Sequence, residues 1–415
     1  MATKIWRGDA QAVPQESRAT PANVEVGDIF TLTCNQKEIA FTATAATVAN
    51  VTAGLTAAWN ASAEPEHAEL TVTDATTYVK ILGPSDGRPF TVTSSATNGG
   101  AANTQTLTMS TVSGTGTGPN YWDNADNWSP NGVPVNSDDV ILENSRVSIL
   151  YGLAQSAVTL ATLRQYQSFE GSVGLPVFND LGYFEYRATE LAIGATLMEL
   201  GLGDGNGSGR IKVNNGSVQT TMNLRGSGSG LETGVPAVLW RGTHANNAIN
   251  ATKGQLGIAI LQGQSATCEN LRIAYQTNVL GDVDVRCGVG VTLTNVEQSG
   301  GYLLTNSNIT VHNLYDGELV HQNGTMGTLQ IERGACRYRS AGTLTTCRVG
   351  SDAELDLRQD PRAVTITNLE LHAGSTLRDP AGRATYTNGI DLYRCSPMDV
   401  TLDLPPHRTL SLSAV

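Results

Sequence analysis

The sequence predicts a mainly β chain in which a small α+β domain precedes a solenoid of stacked β coils. Three observations predict it. The first is a repeat between Val283 and Asp379. Apolar pairs in period-two alternation (Val283-Asp-Val285, Ile309-Thr-Val311, Leu329-Gln-Ile331, Cys347-Arg-Val349, Leu369-Glu-Leu371) start 18 to 26 residues apart. Each is followed by a turn signal and further apolar residues, as Gly317 precedes Leu319 and Asp352 precedes Leu355-Asp-Leu357. A repeat of about 20 residues without helical periodicity marks a solenoid, whose coils bury their apolar faces only against neighbouring coils. The second is composition: 44 glycines, 15% charged and 6% aromatic residues suit a β-rich chain with many turns. The third is the stretch VSGTGTGPN at 112–120, a Gly/Ser/Thr linker that divides the chain.

Residues 1–23 read as an arm. Lys4-Ile5-Trp6 has strand character, and Pro14 and Pro21 favour an extended path. Lys4, Ile5, Trp6 and Arg7 are the candidate attachment residues. Arg7-Gly8-Asp9 spells the integrin-binding tripeptide, which occurs often by chance and works only in an exposed tight loop. Residues 24–111 read as a ββαβββ domain. Ile29–Cys34 and Glu38–Thr44 form a hairpin across Asn35-Gln36. Thr47 is placed to cap a helix over 48–61, where Val48, Val51, Leu55, Ala58 and Trp59 share a face. Pro65 lies just beyond its end. Three strands follow at Ala68–Thr73, Tyr78–Leu82 and Phe90–Ser95, and Thr104–Thr111 reads as an additional closing strand.

The solenoid spans 121–380, with early irregular coils from Val140 and departures at 176–190, 225–236 and 243–255. Functional loops of a solenoid project at such insertions. Residues 381–415 read as a C-terminal β cap or tail, with strands at Tyr386–Tyr393, Met398–Leu404 and Leu410–Val415. A tail of this kind covers the last coil or exchanges with a neighbouring subunit.

Charge and motifs narrow the function classes. The net charge of −12 argues against nucleic acid as a partner, because phosphate binding needs clustered Lys and Arg. The segment MATKIWRGDAQAVPQ has no apolar h-region, so no secretory signal is expected, and no apolar run of membrane-spanning length occurs. None of the six cysteines (Cys34, Cys268, Cys287, Cys336, Cys347, Cys395) forms a CxxC pair, so zinc is not expected. Cys268, Cys336 and Cys347 lie in or beside apolar pairs, which fits buried thiols; disulfides across coils are the alternative.

Within Gly201–Gly209, Asp204, Asn206, Ser208 and Gly209 match the first positions of a calcium loop, but the twelfth position is Asn215 rather than Glu, and no helices flank it. A glycine-rich corner is the simpler reading. The histidines His67, His244, His312, His321, His372 and His407 are scattered, and a solvated or outer position is expected for His312 and His372. Asp282 with Asp284, Asp352 with Asp356 and Asp180 with Glu185 are carboxylate pairs near in sequence. Glycoside cleavage needs two carboxyls about 5–10 Å apart in a groove, and no pair is favoured. No catalytic, cofactor or metal residue is assigned.

Two stretches carry a resemblance. The order VGDIFTLTCNQKEIAFTATAATVANVTAGLTAAWNAS, closed by GRPFTVTSSA, resembles small modules of phage virion and tail-associated proteins. Tyr121–Leu142, with NWSPNGVPVNSDDVIL, resembles the entry segment of parallel β-helix surface proteins, among them bacterial adhesin passengers and phage spikes. Physically, Trp122 and Trp128 can cap the open end of such a core while Asn and Asp satisfy backbone groups there; a sugar-binding aromatic platform is the functional alternative. The resemblance implies a right-handed parallel β-helix after the α+β domain, a homotrimer, and a virion location reached by assembly in the host cytoplasm. The leading expectation is a non-enzymatic virion structural protein, a capsid decoration protein or head fibre. It would join other virion proteins through its N-terminal region and insert in no membrane. The alternatives are a tailspike that binds or cleaves host polysaccharide, with Trp240, Tyr275 and Tyr302 as sparse aromatic candidates, and a bacterial adhesin passenger.

Overall fold

A computed structural model describes residues 2–113, 116–204, 209–228, 234–274, 283–406 and 412–414. The chain is mainly β. Its large unit is a system of almost wholly parallel strands that closes into a barrel-like ring. Most of these strands pair with a strand two further along, so that one set of ladders joins Leu191–Leu202, Thr221–Leu224, Ala248–Ala251 and Ala266–Ile273, and another joins Ile211–Asn214, Val238–Arg241, Gly254–Ile258 and Val283–Cys287. The repeat length is therefore real, and it appears as register. Val296 stands beside His312, His312 beside Leu329, Leu329 beside Cys347, Cys347 beside Leu369 and Leu369 beside Ile390.

That column runs back through Leu271, Ile249, Met222, Met198, Leu163 and Val140 to Lys4. Apart from Lys4 and His312, every member is apolar. A second column carries Val285, Leu303, Leu319, Cys336, Leu355 and Leu377. Val283-Asp-Val285 belongs to this second column, not to the one that begins each later repeat. Ile309-Thr-Val311 is out of step as well, since Ile309 stands beside Met326 and Val311 beside Thr328, so only the pairs from Leu329 onward share one register. Nearly all these side chains are buried in one continuous core, as expected of coils that cannot bury their own faces.

The small domain holds two antiparallel sheets. Thr71–Asp74, Val79–Leu82, Glu16–Ala22 and Thr106–Ser113 form one; Lys37–Thr42, Ile29–Cys34 and Val92–Thr97 form the other. The helix Val48–Asn60 packs Val51, Leu55 and Trp59 into a core with Phe30, Leu32 and Ile81. Thr47 caps it, accepting from the Asn50 N–H at 3.3 Å. Glu16–Ala22 is a central strand of this domain, although the sequence reading placed it in the arm. Pro65–Ala68 is a short helix, so the following strand begins at Thr71 and not at Ala68. Proline supplies a first helical position there at no hydrogen-bond cost.

The arm is not free. Thr3–Trp6 pairs in parallel with Asp139–Leu142 and antiparallel with Trp128–Ser129. The first strand thus belongs to the large unit, and the small domain is an insertion behind it. The two crossing segments touch, Val13 bridging Thr117 with backbone hydrogen bonds of 2.7 and 3.3 Å. The described part of the 112–120 linker is therefore pinned.

Candidate functional site

Three tryptophans close the end of the large unit near the first strand. Trp6 and Trp122 are wholly buried, and Trp128 nearly so. Trp128 lies edge-on to both, with ring centroids 5.1 Å from Trp6 and 4.8 Å from Trp122. Such T-shaped packing adds to area burial. The Trp128 indole donates to the Trp122 carbonyl at 2.7 Å, and the Trp6 indole to the Val147 carbonyl at 2.9 Å. The neighbouring polar residues satisfy backbone. Buried Asn127 accepts from the Ala10 N–H and donates to the Gly118 and Tyr121 carbonyls. Asp138 accepts from the Ala2 and Val135 N–H groups. Burial would raise its pKa, but these hydrogen bonds hold the carboxyl below its usual value.

The residues read as an attachment patch are part of this end. Trp6 is buried, and the Lys4 ammonium donates to the Pro130 and Asn131 carbonyls at 3.1 and 3.3 Å. Ile5 pairs with Ile141 and with Ser129, and Arg7 is exposed. Gly8 sits between Arg7 and Asp9 with φ +71°, and a Cβ there would come within 2.6 Å of Val147. With Arg7 and Gly8 both donating to the Asn127 carbonyl, the tripeptide lies along the body and forms no projecting loop.

The polar junction between the small domain and the body lies at the excursion 176–190. Arg187 is its centre. Its guanidinium grips the Glu185 carboxylate at 2.7 and 2.9 Å and donates to the Pro89 carbonyl of the small domain at 2.8 Å. The Glu185 side chain is 1% exposed and that of Arg187 13%. Tyr183 donates to Glu69, which also faces Arg88 at 3.3 Å. Burial pushes the Tyr183 and Tyr186 phenols well above their ordinary value, so both stay protonated. Beside this cluster lies a cavity of about 610 Å³, bounded by Arg88, Leu150, Leu175, Phe178, Asn179 and Asp180 among others. Phe178 and Phe184 meet edge-to-face at 5.4 Å and are 53% and 74% exposed.

Three carboxylates of the candidate pairs are held by arginines two residues away. Glu185 is committed to Arg187. Asp284 is held by Arg286 at 2.7 Å, and Asp356 by Arg358 at 2.9 Å. Asp352 is a turn residue with φ +61°. Asp282 lies outside the described residues, as do Tyr275, Asn206, Ser208 and His407. Asn215 is spent structurally, accepting from the Ala195 N–H and donating to the Val218 carbonyl. No group of three metal-ligating side chains converges among the described residues.

The expectation for His312 is corrected. It is fully buried in the apolar column; His321, also fully buried, stands between Thr305 and Tyr338, with its ring 4.8 Å from that of Tyr338. Both nitrogens of His312 and the Nδ1 of His321 find no protein partner. Burial drives their pKa values down to about 3 and about 4, so both are neutral at pH 7. Strict alternation from Ile309 places residue 312 outside. The coil instead turns a corner, and the inward spacing becomes three, then two: Ile309, His312, Leu314, as in Met326, Leu329, Ile331. That φ-x-x-φ-x-φ signature was present in the sequence. His372, by contrast, is partly exposed beside Glu370 at 2.7 Å.

All six cysteines are free; five are buried and Cys395 is partly so. Burial pushes the Cys34 and Cys268 thiols up to about 12, which leaves them protonated and unreactive. Compared with known protein families, with curated proteins and with solved structures, the chain matches none. No helix among the described residues is long and apolar enough to cross a membrane.

Proposed function

We propose that the chain is a structural component of a phage particle, a capsid decoration protein or head fibre, whose body is a right-handed parallel β-helix. The observation that carries the reading is the coupling of the two units. The small domain is inserted behind the first strand of the body and locked to it by Arg187, which is held by Glu185 and donates to the Pro89 carbonyl, and by the Tyr183–Glu69 hydrogen bond. A module attached to a particle in this way carries the body with it as one piece. The resemblance of the 24–111 module to small virion modules, and of the 121–142 segment to the entry segment of parallel β-helix surface proteins, phage spikes and adhesin passengers among them, supports the assignment. Assembly as a homotrimer belongs to the same reading, and sedimentation of the purified chain tests it.

The decisive experiment is quantitative mass spectrometry of purified virions. Copies on the scale of the major capsid protein mean decoration of the shell; a handful per particle mean a fibre or spike; none overturns the reading. Of the two N-terminal regions expected to attach, the small domain alone keeps that role in this reading, since Lys4, Trp6 and their neighbours are built into the body. Because Val13 and Thr117 are paired, the domain can be excised between them with a short Gly/Ser bridge. The expected product is a folded body that no longer joins the particle. A second reading, recognition of host polysaccharide, is favoured by the exposed Phe178–Phe184 pair, since an aromatic face can pack against a sugar ring.

A further inference from the structure

We propose that the cavity between the small domain and the body binds a small organic carboxylate with an apolar or aromatic body. Asn179 points to a ligand. It bounds the cavity, is 6% exposed, and has a buried Nδ2 without a protein partner. Its orientation is fixed, because Oδ1 accepts from the Leu181 and Tyr183 N–H groups at 3.1 and 3.2 Å. The amide nitrogen is therefore the end left over. Arg88 bounds the same cavity, and its Nε is also buried without a partner, while its terminal nitrogens face Glu69 at 3.3 Å and Asp86 at 3.6 Å. A buried donor without an acceptor is costly, and two of them beside one cavity call for a ligand that supplies acceptors.

The chemistry of the walls narrows the class. Both orphan groups are donors, and a carboxylate is an acceptor-only head that forms charge-assisted bonds with such groups. Three arginines (Arg88, Arg187, Arg210) line the cavity against two carboxylates, Asp180 and Glu185. Glu185 is already bound by Arg187, and Asp180 is exposed. The chain as a whole carries −12, so this local balance is set by the site. Leu150, Leu175, Pro176 and Phe178 supply apolar wall that an inorganic anion would leave unfilled. About 610 Å³ is within the usual size of small-molecule sites.

The inference stands apart from the virion reading and survives its failure. Its test is calorimetric titration of the full chain with 4-phenylbutyrate, with the neutral 4-phenylbutanol and with sulfate. Phenylbutyrate is expected to bind with Kd of about 1 mM or tighter, and at least about tenfold tighter than phenylbutanol. Asn179→Asp keeps the Oδ1 acceptor of the turn and replaces only the donor; it should weaken phenylbutyrate about tenfold while leaving the melting temperature within a few degrees. Phe178→Ala, at an exposed position, should weaken it severalfold. The proposal is overturned if phenylbutyrate shows no saturable binding up to ~10 mM, if the alcohol binds equally well, if sulfate displaces the acid at equal concentration, or if Asn179→Asp binds as the parent does.

Discussion

The small domain and the body bury their apolar residues in different ways. In the small domain, hairpin partners are close in sequence, as Ile29–Cys34 and Lys37–Thr42 show, and one helix closes one core. In the body, each inward side chain meets its counterpart roughly a coil earlier and a coil later, and the core has no single centre. A lesion in the small domain should therefore be felt by the whole unit. In the body it should be felt by adjacent coils. The outward faces differ as well. Along the body, outward positions stack into ion pairs between coils: Arg164 with Glu199 at 3.2 Å, Arg272 with Glu297 at 2.9 Å, and Arg348 with Glu370 at 2.7 Å. Register thus brings opposite charges together on the outer face while it aligns apolar side chains inside.

The largest test of this contrast is Trp6→Ala. It should cost about 3–5 kcal/mol, the range for deleting a buried aromatic side chain, and should loosen the first coils while the later ones stay protected. Hydrogen exchange read coil by coil distinguishes that from uniform loss. Arg187→Ala comes next. It leaves Glu185 buried without its partner, a loss of about 3 kcal/mol, and should uncouple the two units into separate unfolding transitions in calorimetry. Equal stability and a single unchanged transition would refute the clasp.

Acid should separate the units further. His312 and His321 have folded pKa values of about 3 and about 4 against 6.5 for the free side chain. A depressed histidine pKa means that the folded state resists protonation. Stability is fully present above about pH 6.5 and falls as pH drops toward 4, at up to about 1.4 kcal/mol per pH unit for each residue. Urea midpoints of the body between pH 7 and 5 should fall, and His312→Leu should roughly halve that slope. The smallest effect is expected from Arg272→Ala. Its pair with Glu297 is half-exposed, so the loss should stay under about 1 kcal/mol and shrink in high salt.

Much of this was legible in the sequence. The coil repeat, the helix with its Thr47 cap, the hairpin at Asn35-Gln36 and the buried tryptophans Trp122 and Trp128 all follow from period, turn chemistry and side-chain type. These are local properties, carried by residues near one another in the chain. Other features depended on which distant segments meet. Lys4-Ile5-Trp6 has the pattern of a strand, yet only its pairing with Asp139–Leu142 and Trp128–Ser129 makes it the closing strand of the body and Trp6 the third member of the cap. Arg187, Glu185 and Glu69 form one cluster because the excursion 176–190 folds back onto the small domain, more than 100 residues earlier in the chain. His312 was misplaced because a corner changes the parity of alternation, and corners are set by how successive coils stack. The sequence by itself determined the elements and their apolar faces, since period-two and period-3.6 patterns are intrinsic to the chain. Register, the inserted position of the small domain and the cavity at the junction were decided only in three dimensions, where the burial of one segment depends on the surface another provides.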